Sequence, residues 1–409
     1  MTEGPRITRI ESVVPESISR HLLMVRVHTD AGLIGCGETY HIPEACAAVI
    51  HDWMARRLLG ADATAVERHW RFLFERASSV GVRGAEMRAL SAIDLALWDI
   101  LGQASDQPVY RLFGGPVRDE LRVYNSLGHP KYGAEWQGAD TGWPGYGGMG
   151  EPGPLADAYN FFHEPVALAR ELIAEGYSAM KCWGLDDLAH RHGGGYVPPS
   201  ELEKALAPIR AIREAVGSNI EIMLDGHSFF LWPSAIRVVE ALREYKLLWI
   251  EDLLKVTNAG TLAAFRQQAG VPISVSEVLL TQTDFTDVLE RRAADYVMID
   301  PTWAGGFSES RRIAQSAGAY HLPVSFHDCT GPLNLFAGLH LSASLEHAVY
   351  QESVRAHIRS WYDKLITVQP VIRNGFADLP VGNGIGTAWQ DEWFSERHPA
   401  YRCSRGDGS

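Results

Sequence analysis

Apolar and polar residues alternate through three short stretches near the start of the chain: Ile7 to Val14, Leu22 to His28 and Leu33 to Glu38. A period of two marks strands with one buried face. Thr29-Asp30-Ala31-Gly32 supplies a turn between the last two, so the pattern predicts a three-stranded meander. The period then lengthens, which predicts helices at about 43–59, 64–77 and 84–104. In the third, Leu90, Ile93, Leu97, Ile100 and Leu101 recur at helical spacing, and Gly102 lies near its end.

From about residue 121 the pattern changes again. β-rich runs occur at 122–127, 178–183, 220–224, 247–250, 272–276, 296–299, 322–326 and 347–351. Amphipathic segments separate most of them, at 201–216, 233–244, 259–269, 281–293, 306–317 and 332–344. Eight such alternations predict a parallel barrel of α/β class. Two stretches break the rhythm. Residues 128–157 are rich in Gly and Pro and carry Trp136, Trp143 and Tyr146. They follow the first barrel strand, which places them on the catalytic face as a structured lid or a subunit contact. Residues 184–199 read as a loop with His190 and His192, which are expected to be solvated rather than metal ligands.

Composition narrows the function. The chain has 409 residues, enough for two domains or for one barrel with additions. Its formal net charge of −13 argues against nucleic acid or an anionic membrane as the main partner. An anionic substrate would then need a local source of positive charge, such as a metal. Cys36, Cys46, Cys182, Cys329 and Cys403 show no zinc spacing. Scattered and odd in number, they fit reduced thiols in a cytoplasmic compartment. No apolar signal core opens the sequence, and no apolar run is long enough to span a bilayer.

The ends of the predicted barrel strands carry the chemistry. Asp225, Glu251 and Glu277 close three successive strands, each 26 residues from the last. In a parallel barrel they converge at the C-terminal mouth. Gathered carboxylates repel one another, and a cation resolves the conflict. Hard oxygen donors that leave room for water and substrate suit one Mg²⁺ per site. The bland reading, three ordinary strand-end acids capping helices, does not account for the common register. Asp300 and His327 end the next two strands, where the Asp can fix the tautomer of the His and raise its basicity. Glu352 ends the eighth. On the second strand Lys181 and Trp183 share a face, with Lys181 an electrostatic partner for a substrate carboxylate and Cys182 turned toward the helices. His227, two beyond Asp225, should also look into the site.

With these residues the chain resembles the enolase superfamily, in its mandelate racemase-like subgroup. Four stretches carry the resemblance: GLIGCGET; ALSAIDLALWDILGQASDQPVYRLFGG; the acids in MLDGH, WIEDLL and VSEVLL; and IDPTWAGG followed by SFHD. The resemblance implies a modified (β/α)₇β TIM-type barrel at 119–375. Over it would lie an α+β capping domain formed by 1–118 and completed by the tail 376–409. It implies Asp225, Glu251 and Glu277 as Mg²⁺ ligands, His327 with Asp300 as the base, and Glu352 at the electrophile position. A polar residue is common where His227 stands. One position departs: the usual Lys-x-Lys on the second strand is Lys-Cys-Trp here. Trp183 cannot take a proton at neutral pH, which puts racemisation by two opposed bases in doubt.

The shared first step of such enzymes is removal of the proton α to a carboxylate. If a hydroxyl sits β to that carboxylate, the enediolate expels it and a 2-keto-3-deoxy acid forms. The favoured expectation is therefore a Mg²⁺-dependent acid-sugar dehydratase, taking an aldonate or aldarate. His327 would act as base and then as acid if both groups leave from one face; otherwise His227 is the acid. The alternatives are an epimerase or cycloisomerase of the same family, a glycoside hydrolase built on paired acids, and a homologue without turnover. His21, Tyr40, His41 and Trp303 are candidates for contacts to substrate hydroxyls. A homo-oligomer, between dimer and octamer, is expected.

Overall fold

The alternating N-terminal stretches form β1 (Ile7–Val13), β2 (Leu22–Thr29) and β3 (Ile34–Tyr40), paired antiparallel in that order. The structure, a computed structural model, describes residues 4–131 and 150–406. The helix Ala85–Ala104 lies across β3. The fit requires glycine. A Cβ on Gly35 would stand 2.0 Å from the Ala96 carbonyl oxygen, and one on Gly37 would stand 1.9 Å from that of Ala92. The alternating Gly-x-Gly therefore brings helix and sheet backbones together.

The eight β-rich runs form β4 (Glu120–Ser126), β5 (Ala179–Cys182), β6 (Glu221–Asp225), β7 (Trp249–Glu251), β8 (Ile273–Val275), β9 (Tyr296–Ile299), β10 (Val324–Phe326) and β11 (Ala348–Ser353). Each pairs in parallel with the next, and β11 pairs with β4, so the barrel closes. Tyr124, Ala179, Met223, Trp249 and Met298 fill its interior as one buried cluster. The molecule is thus a TIM-type barrel with a separate antiparallel capping sheet.

The structure differs from the sequence reading in two places. The stretch 184–199 is not all loop, because Asp186–Arg191 forms a short helix within it. The C-terminal tail divides. After β12 (Ile372–Arg373), β13 (Phe376–Asp378) pairs antiparallel with barrel strand β4, whereas β14 (Arg402–Arg405) pairs with β1 in the cap. Of the 128–157 insertion, residues 132–149, with Trp136, Trp143 and Tyr146, lie outside the described residues.

Buried polar contacts fasten cap to barrel. Glu38 of β3 accepts the backbone N–H groups of Leu333 (3.0 Å) and Asn334 (2.8 Å) at the start of the helix Pro332–Ser344. A carboxylate suits that positive helix end. Burial nonetheless pushes the Glu38 acid up to about 8. Asp94 accepts from Ser308 N (3.0 Å) and Ser308 Oγ (2.6 Å). Burial raises Asp94 to about 7. Among the described residues no helix is long and apolar enough to cross a membrane.

Candidate active site

Asp225 and Glu251 are the last residues of adjacent strands and stand in register with each other. Glu277 lies just beyond β8, the next strand round. One oxygen from each of the three falls within 4.8 Å of the others, and all three side chains are buried. This donor set is all carboxylate oxygen. Glu277 Oε2 is buried with no hydrogen-bond partner among the described residues. Burial and the neighbouring acids push both Glu251 and Glu277 above the ordinary carboxylate range. A hard divalent cation would relieve each of these tensions, so the residues present fit Mg²⁺.

Lys181, 1% exposed, is the cation that the chain itself supplies there. Its Nζ lies 2.9 Å from Glu251 Oε1, 3.0 Å from Glu352 Oε1 and 3.4 Å from Asp225 Oδ2. Burial alone would lower its pKa, but these carboxylates outweigh burial and hold the ammonium charged. Glu352 is fixed on its other side, where Oε2 accepts Asp328 N at 2.9 Å.

Two histidine–aspartate pairs flank this centre. His327 Nδ1 lies 2.7 Å from Asp300 Oδ2, and Asp300 Oδ1 accepts from Thr302 N (2.7 Å) and Thr302 Oγ1 (2.6 Å). Asn334 Nδ2 donates to Asp300 Oδ2 (3.1 Å) and to the His327 carbonyl (2.9 Å). With Nδ1–H given to a carboxylate, Nε2 of His327 is the nitrogen that carries the lone pair whenever the ring is neutral. Cys329 Sγ is its neighbour at 3.4 Å. Burial would lower the His327 imidazolium; Cys329, Glu352 and Asp300 overcome it and hold the group well above its usual value. The second pair is His227 Nδ1 with Asp186 Oδ2, at 2.8 Å. His227 Nε2 lies 3.5 Å from Asp225 Oδ2. Against the cost of burial, Asp186 and then Asp225 raise His227 to about 10.

Lys181, Trp183, Asp225, His227, Glu277, Trp303, His327 and Glu352 line one cavity of about 20 Å³, with His41, Cys329 and Thr330 completing its wall. The predicted residues therefore converge, except for four. Glu251 sits under Lys181, and Asp300 behind His327. His21 and Tyr40 stand one layer back in the cap: the Tyr40 hydroxyl accepts from Ser19 Oγ at 3.5 Å, and its ring packs 4.9 Å from that of His41. The Trp183 indole N–H donates to Ser126 Oγ (3.1 Å). Trp303 packs 5.1 Å from the His327 ring, and Arg88 of the cap lies 4.2 Å from the centroid of Trp303.

Sequence reasoning missed Asp186, Thr302, Cys329, Asn334 and Arg88. Thr302 and Cys329 each lie two residues beyond a named strand-end residue, and that offset was an available signal. Asp186 had none, since its role exists only through its contact with His227.

A family model described as mandelate racemase / muconate lactonizing enzyme, N-terminal domain, matches residues 8–114, and one described as enolase C-terminal domain-like matches 164–393. Over 372 residues the chain is 30% identical to a D-xylonate dehydratase of Haloferax volcanii, covering 89% of this chain and 82% of the relative. It is 28% identical over 347 residues to a D-galactonate dehydratase of Pectobacterium atrosepticum, covering 84% and 81%. An Agrobacterium tumefaciens enolase of the mandelate racemase subgroup superposes with a TM-score of 0.83 at 35% identity, covering 98% of this chain and 99% of that one. The chain belongs to the mandelate racemase-like subgroup of the enolase superfamily and is an enzyme of that superfamily.

Proposed function

We propose that the protein is a Mg²⁺-dependent dehydratase of an acid sugar, an aldonate or aldarate, yielding a 2-keto-3-deoxy acid. The observation that carries this reading is the pair of histidine–aspartate couples at one cavity, their histidines just beyond β6 and β10, four strands apart in a ring of eight. Relatives named for D-xylonate and D-galactonate support the substrate class.

Asp225, Glu251 and Glu277 would hold the ion, which when bound supplies positive charge to a substrate carboxylate and to the enediolate derived from it. Lys181 adds its ammonium beside that carboxylate. His327 Nε2 takes the α-proton while Asp300 holds Nδ1–H and shares the charge that forms. Glu352 faces the same developing negative charge. His227 then gives a proton to the β-hydroxyl from the opposite side, the C–O bond breaks, and water leaves. Trp183, where a second base would stand, closes the route to two-base epimerisation and favours elimination.

The test is a library of four- to six-carbon acid sugars with Mg²⁺, scored with semicarbazide for keto-acid formation and repeated with EDTA. A keto acid that requires Mg²⁺ is expected. Inversion of configuration without a keto acid, or activity indifferent to EDTA, would overturn the reading.

A further inference from the structure

We infer that Asp186 is the positioning residue for His227 and makes it the group that protonates the departing hydroxyl; this rests on the dehydratase reading. Asp186 is fully buried at the start of the helix Asp186–Arg191, which follows β5, whereas His227 follows β6, the neighbouring strand. The contact of 2.8 Å from Asp186 Oδ2 to His227 Nδ1 matches the 2.7 Å contact of Asp300 with His327.

The consequence is geometric. A carboxylate beside Nδ1 restrains the ring and favours the imidazolium, whose Nε2–H is then the donor available to the cavity that His227 lines. The ring is also walled by Trp183, with centroids 6.1 Å apart. Its backbone N–H donates to Asp225 Oδ1 (2.9 Å), so both main chain and side chain of His227 are held. The step balances: Nε2 gives its proton to the β-oxygen, the C–O bond electrons go to that oxygen, and the enediolate pair becomes the new C=C bond. The neutral imidazole regains its proton from solvent.

Asp300 and Asp186 therefore serve separable halves of the reaction, and a substrate whose leaving group needs no proton separates them. The probe is the acid sugar turned over fastest in the screen, together with its analogue carrying fluorine in place of the β-hydroxyl. In Asp186→Asn, water elimination should fall about 10²-fold or more, the usual worth of a general acid. KM, α-proton exchange in deuterated water, and fluoride release should stay within a few-fold of the parent. Asp186→Asn placed on His227→Gln should cost nothing further, as expected of two residues acting as one unit. Equal loss of water and fluoride elimination, wild-type water elimination, or additive effects in the double variant would each overturn the role of Asp186. A parent enzyme that forms no keto acid from any acid sugar would instead overturn the dehydratase reading, and this role with it.

Discussion

Lys181 Nζ lies 3.0 Å from Glu352 Oε1 and so ties the second barrel strand to the eighth, past the first strand that separates them. The same nitrogen holds Glu251 at 2.9 Å. One ammonium thus offsets acids from both sides of the mouth.

Replacing Lys181 with Met leaves those acids buried without their cation. Removing one partner of a buried pair costs about 3–5 kcal/mol. Metal-free Lys181→Met should melt well below the parent, and Mg²⁺ should recover more stability in the variant than in the parent, because added positive charge is worth more where less is present. Identical melting of the two proteins, with and without Mg²⁺, would contradict the electrostatic role assigned to Lys181.

Glu277 tests the metal directly. Its unpartnered oxygen makes it the acid with most to gain from an ion. Mg²⁺ at a hundredfold its Kd should stabilise the parent by about 2.7 kcal/mol. Glu277→Gln should lose most of that gain and most of the heat of Mg²⁺ binding in calorimetry. A variant that binds Mg²⁺ as the parent does would move the metal site elsewhere.

His327→Asn should abolish exchange of the substrate α-proton in deuterated water; retained exchange would remove it as the base. Asp300→Asn is the subtler change. An amide can donate to Nδ1, which drives the proton onto Nε2 and produces the wrong tautomer. Exchange should fall by roughly 10²–10⁴ with KM little changed, consistent with the worth of a positioned base.

Asp94 predicts a pH effect on the joint between cap and barrel. Its folded value of about 7 lies above the ordinary aspartate value, so the folded state binds the proton more tightly than the unfolded one. The stability this adds is fully present below pH 4 and is lost as pH rises through about 7. Asp94→Asn cannot titrate. The melting temperature of the parent minus that of the variant should therefore shrink between pH 4 and pH 8, and a difference that stays flat would count against the raised value.

The barrel and the three acids that converge at its mouth were legible because βα units repeat: Asp225, Glu251 and Glu277 are evenly spaced, and each ends an apolar run. Asp300, His327 and Glu352 continue that logic. Asp186 was not legible, because a six-residue helix inside a glycine-bearing stretch carries too little periodicity to register. Its partner is 41 residues away in sequence, and no local pattern encodes the contact. Tyr40 and His21 read as mouth residues because they end and flank cap strands. The sheet instead turns them into the packing behind His41, a matter of side-chain direction that strand alternation alone left open.

The pairing of β14 with β1 gives synthesis a timetable. Tyr401, just before β14, donates its hydroxyl to Glu11 Oε1 at 2.6 Å, across 390 positions of sequence. The first three strands of the cap precede the barrel, yet their sheet waits for its fourth until all eight barrel strands have followed. Contacts this distant in sequence form slowly. A chain made only as far as β11 could close its barrel wall, but it would hold an unfinished roof over the mouth. The roof over the mouth is thereby finished only after every strand of the barrel beneath it exists.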